Sequence, residues 1–66
     1  MMNKNKIAKK LIKLRKNRTR EEVANNLKIS VSALQMYECG KRVPKDEIKI
    51  RIASFYGLTV QEIFFD

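Results

Sequence analysis

Sixty-six residues with 15 lysines and arginines against 7 acids give a net charge of +8 and an isoelectric point near 10.0. That balance favours an anionic partner, nucleic acid before acidic membrane. The absence of histidine and the single cysteine exclude a zinc site, a Cys–His nucleophile pair and a histidine base, so neither catalysis nor a cofactor is expected. No apolar run could span a bilayer and the N-terminus lacks a secretion signal's apolar stretch, so one small cytoplasmic domain over residues 1–66 is expected, with no membrane partner and no small-molecule effector domain.

The first predicted helix runs from about Asn5 to Lys16. It offers Ile7, Leu11 and Leu14 at i, i+4, i+7, with Ala8 and Ile12 widening the stripe. Its back is basic: nine lysines and arginines and no acid precede Glu21. Thr19 followed by Glu22 reads as a capping box that opens a second helix over residues 20–27, with Val23 and Leu27 turned inward and the small Ala24 at a tight helix crossing. Ile29 falls in the turn. Ser30 caps a third helix over 31–39, whose Leu34 and Tyr37 lie three apart, and Gly40 ends it with a left-handed residue. This is the spacing of a helix-turn-helix, with the second helix of the pair free to enter a DNA major groove. Cys39, with no base visible nearby, is expected to be a partly covered structural residue.

From Pro44 onward, Ile48-Lys-Ile-Arg-Ile52 alternates as a strand would. Pro44 followed by Asp46 and Glu47 is nevertheless helix-start chemistry, and Ile48, Ile52 and Phe55 also satisfy i, i+4, i+7, so a fourth helix is predicted. Ile50 is then left at the edge of its stripe or on a partner surface. Gly57 stops this helix, and Thr59 with Glu62 forms a second capping box opening a short fifth helix that carries Val60, Ile63 and Phe64. The fold class expected is all-α, a compact five-helix domain.

With these elements in place, the chain resembles the lambda-repressor and Cro-type (XRE) family of helix-turn-helix proteins. Tyr37-Glu-Cys-Gly40-Lys41-Arg42 through Pro44 is similar to the family's aromatic-or-aliphatic, Glu, any, Gly, Lys/Arg, Pro signature. Ile52-Ala53 through Gly57, Val60, Ile63 and Phe64 resembles its closing pattern. Three departures stand out. Lys28 occupies a turn position usually held by a left-handed glycine, Arg20 replaces a frequent glutamine, and the spacer between Arg15 and Thr19 is about two residues short of the common pattern.

The resemblance implies that Ser30, Val31, Ser32, Gln35 and Met36 face base edges. Gln35 is suited to adenine, and Val31 and Met36 to thymine methyls, which leans the half-site towards A/T. It implies phosphate contacts from Thr19, Arg20, Lys28, Lys41 and Arg42, together with free amides at the start of the second helix. Glu38 is implied to pair with a basic residue of the first helix, Arg15 or Lys13. A homodimer is expected because one recognition helix buries too little surface, and Ile63, Phe64 and Phe65 are the interface candidates, with completion of the monomer core as the alternative for Ile63 and Phe64. The function expected is a DNA-binding transcriptional regulator, a repressor on a palindromic operator. The alternative is an antitoxin-like module that uses the same fold to bind a partner protein.

Overall fold

Short polar side chains start four of the five helices among the described residues, Thr59 among them at the C-terminal turn. In the computed structural model, which describes residues 3–65, Asn3 Oδ1 accepts from the amides of Asn5 and Lys6 (3.0 and 3.2 Å) and opens α1, Lys4–Arg15. Thr19 Oγ1 accepts from the Glu22 amide at 3.0 Å to open α2, Arg20–Leu27, and Ser30 Oγ accepts from the Ala33 amide at 3.0 Å to open α3, Val31–Glu38. Next comes α4, Asp46–Tyr56, a helix as its acidic first turn predicts, although Lys45 at its N-cap makes no side-chain cap bond. A π-helical turn, α5, spans Gln61–Phe65. The described residues are thus all helical or loop, with no strand.

Three helices end in the same way. The amides of Ile29, Lys41 and Leu58 reach back to the carbonyls of Ala24, Met36 and Ala53 (3.0, 3.0 and 2.9 Å), closing six-residue loops around a left-handed residue. That residue is Gly40 in α3 and Gly57 in α4, but Lys28 (φ 60°, ψ 43°) in α2. Gly40 is further constrained by proximity, since a Cβ there would lie 2.8 Å from Asn5 Oδ1.

The core is a single cluster of Ile7, Leu11, Val23, Ala24, Leu27, Leu34, Tyr37, Ile52, Ala53, Ile63 and Phe64. Helix α1 packs on α3 and α5, and α2 on α3 and α4. The radius of gyration is 10.4 Å, against about 11 Å expected for a compact chain of this length. Arg51 fastens α4 to the end of α2: its Nη1 donates to the Leu27 carbonyl at 3.2 Å and its Nη2 to Glu47 at 2.8 Å.

Four expectations are corrected. Ile12 does not widen the α1 stripe; it is 45% exposed because it lies about 100° around the helix from Leu11, beyond the arc that Ala8 and Arg15 occupy. Ile63 and Phe64 are not interface residues. Both are buried in the core of one chain, and only Phe65 of the three stays exposed. Cys39 is exposed rather than partly covered, because α3 ends at Glu38 and Cys39 continues its outer face. The Thr19–Glu22 capping box closes only one arm among the described residues, whereas Thr59–Glu62 closes both, with Thr59 Oγ1 accepting from the Glu62 amide (3.1 Å) and Glu62 Oε1 from the Thr59 amide (2.9 Å).

One burial had no forewarning in the sequence. Lys49 is 5% exposed, with Nζ 3.5 Å from Asp46 Oδ1 and lying over the rings of Phe65 (5.1 Å) and Phe64 (5.8 Å). The ammonium is stabilised by ring quadrupoles and one exposed carboxylate, and it ties α4 to the C-terminal turn.

Candidate nucleic-acid interface

Leu34, Tyr37 and Glu38 turn inward on α3, which leaves Val31, Ser32, Gln35 and Met36 on its outer side, all exposed. With a helical repeat of 3.6 residues, Ser32, Gln35 and Cys39 follow one another up this face. Ser30 stands exposed at its start; its hydroxyl oxygen accepts from Ala33 and its O–H remains available to donate. Ser32, Gln35, Met36, Cys39 and Lys41 line one shallow concavity. Lys41 is held there because Met36 O accepts the amides of Lys41 (3.0 Å) and Arg42 (3.4 Å), folding both basic residues back past the end of α3. Cys39 is an addition that sequence reasoning missed. Its i+7 spacing from Ser32 was the available signal.

Lys28 is not part of this arrangement. It lines a different depression, with Asn26, Leu27, Ile50, Arg51, Ser54 and Phe55, between the end of α2 and α4.

The base of the interface is an ion cluster joining α1, α2 and α3. The Glu38 side chain has no solvent exposure; its Oε2 accepts from Arg15 Nε at 2.9 Å and its Oε1 from Arg20 Nε at 2.8 Å. Arg15, not Lys13, is therefore the first-helix partner, and Arg15 Nη1 also donates to the Arg18 carbonyl at 2.8 Å. Arg20, expected on phosphate alone, shares the carboxylate as well, which nothing in the linear spacing signals. The hydrogen bond to Glu38 raises the Arg20 pKa still further above its ordinary value, so the guanidinium is permanently charged. Burial, reinforced by Glu38 and opposed by Arg18 and Arg15, pushes the nearby Tyr56 phenol up, so it stays neutral. No buried side-chain nitrogen or oxygen is left unpaired among the described residues.

A family model described as helix-turn-helix matches residues 7–63, from the first core residue of α1 to a core residue of α5. The chain belongs to the XRE-type (Cro/C1-type) helix-turn-helix family. This is a family of DNA-binding transcriptional regulators. Comparison with curated proteins and with solved structures gave no significant match. No helix is long and apolar enough to cross a membrane, and no cluster of metal-ligating side chains occurs among the described residues.

Proposed function

We propose that this family member is a transcriptional repressor that occupies a palindromic operator as a homodimer, without a cofactor. The observation that carries this reading is the outer side of α3. Val31, Ser32, Gln35 and Met36 are free of core duties, Lys41 lines the same concavity as Ser32, Gln35 and Met36, and Arg42 is folded back with it, which supports base-reading groups beside phosphate-binding ones. Gln35 pairs bidentately with adenine, Ser32 and Ser30 donate or accept at base edges, and Val31 and Met36 pack on thymine methyls. The α2 N-terminus, with the Thr19 cap and Arg20, holds one phosphate. Phe65, exposed beside Lys49, is the proposed contact between protomers.

A second reading is favoured by Ile50. At 61% exposure it is the most exposed of the large apolar side chains among the described residues, and it borders the depression formed with Phe55 and Arg51. A partner protein seated there would give the antitoxin-like alternative.

Selection of bound duplexes from a random pool, followed by titration at several salt concentrations, separates the two. A palindromic consensus with half-sites roughly 34 Å apart, or a multiple of that, and at least about a thousandfold preference over scrambled DNA supports the operator dimer. Affinity that follows salt alone, with no consensus, overturns it.

A further inference from the structure

We propose that Glu38 is a positioning residue for DNA binding: its buried carboxylate holds Arg20 by Nε so that the guanidinium meets a backbone phosphate with its remaining edge already oriented. This rests on the reading of Arg20 as a phosphate contact. Glu38 has no solvent exposure and is itself fixed by Arg15, which is pinned at its far side by the Arg18 carbonyl. Arg20, in contrast, uses only Nε. Its terminal nitrogens Nη1 and Nη2 take no partner among the described residues, and its side chain is 37% exposed, at the first residue of α2.

Two of the three edges of a guanidinium can each form a paired set of donors to an oxyanion. With Nε committed to Glu38, the Nη1/Nη2 edge stays free for a second oxyanion, on the first residue of α2, where the Arg20 and Glu21 amides have no intrahelical partner. Positioning matters here because Glu21 and Glu22 occupy the same first turn and repel phosphate. A mobile positive charge would be offset by those two carboxylates, whereas donors held at a fixed distance are not. A lysine cannot reproduce this, since its ammonium is a single point that cannot be gripped by one nitrogen while two others face outward. The same carboxylate that joins three helices thereby sets the geometry of a contact at the surface.

The test uses duplexes of arbitrary sequence, because phosphate contacts do not depend on an operator, so its outcome is separate from that of the repressor reading. Affinity is measured at several salt concentrations for Arg20→Gln, Arg20→Lys and Glu38→Gln, with circular dichroism and a thermal melt checking the fold. Arg20→Gln is expected to weaken binding and to reduce the salt slope by about 0.9 for each protomer bound. Arg20→Lys keeps the charge yet is expected to bind about tenfold more weakly than the wild type, as a lost oriented pair of charge-assisted bonds requires. Glu38→Gln adds one unit of positive charge, which by itself tightens binding; the expected result is weaker binding. Wild-type affinity in Arg20→Lys, or undiminished affinity in a folded Glu38→Gln, overturns the positioning role while leaving the phosphate contact standing. Unchanged affinity and slope in Arg20→Gln overturn the contact itself. The two Arg20 variants decide the matter even where Glu38→Gln fails to fold.

Discussion

Lys28 holds φ 60° and ψ 43° in a turn where α3 and α4 use glycine for the same closing bond. A side chain in that conformation costs about 1–2 kcal/mol, and glycine returns part of this through unfolded-state entropy. Lys28→Gly is therefore expected to stabilise the domain by about 1 kcal/mol, raising the melting temperature by about 5 °C. Because Lys28 lies with α4 rather than with the α3 concavity, the salt slope of DNA binding should stay as it is. Glu38→Ala acts in the opposite direction. It strands two guanidiniums that are only partly exposed, a loss of about 3 kcal/mol at the lower end of the range for broken buried pairs, visible as a collapse of the thermal midpoint. At this scale the sequence was informative wherever one residue's chemistry decided the outcome, as at Ser30, Gly40 and Thr59. It was silent on Arg20, because the second partner of a carboxylate 18 positions away is fixed by how three helices cross.

The C-terminal turn shows what an element gains from its first residues. Hydrogen bonds from the Thr59 amide and hydroxyl hold the Glu62 carboxyl below the ordinary glutamate range. A folded-state pKa below the unfolded one gives stability that is fully present above the unfolded value, about 4.3, and is lost as pH falls through the folded value. Thermal melts from pH 6 down to pH 3 should accordingly show a smaller loss in Glu62→Gln than in the wild type, since the amide keeps an acceptor for Thr59 and has no proton to gain. Element boundaries were legible to within a residue at most ends, and the helical reading of Ile48–Ile52 followed from Asp46 and Glu47 despite the alternating pattern. The assignment of Ile63 and Phe64 to an interface failed for a physical reason. At the end of a short chain, apolar residues can close the monomer or join two monomers, and the choice turned on whether the outer end of α1 had a groove left to fill. Lys49 escaped notice because burial of an ammonium depends on two rings 15 and 16 residues later folding back over it.

Two measurements address the molecule as a whole. If Arg20, Lys41 and Arg42 each neutralise one phosphate per protomer, a dimer makes six such contacts, and the slope of log affinity against log salt should be about −5. A slope near half that value would indicate one protomer on the DNA. Replacing Phe65, 52% exposed, by Ser should shift the protein from dimer to monomer in sedimentation, with the melting curve at high dilution lowered only by the loss of one ring over Lys49. An unchanged sedimentation coefficient would remove Phe65 from the interface. Fold and family were legible because three motifs in the right order span almost the whole chain. The partner surface was not, since Ile12, Ile50 and Phe65 carry the same apolar signal as core residues until the packing shows that the core is complete without them.

Cys39 gives the outer side of α3 a chemical handle of its own. It is the one thiol in the chain, it is exposed, and it shares its concavity with Ser32, Gln35, Met36 and Lys41. A maleimide or iodoacetamide will therefore alkylate a single site without any engineered residue. Protection of that site on adding duplex, followed by intact-mass spectrometry, becomes a footprint taken from the protein's side. A fluorophore attached there would report occupancy in real time, and on the proposed mode of binding it would do so only on weakened complexes, since a base pair would approach the same face.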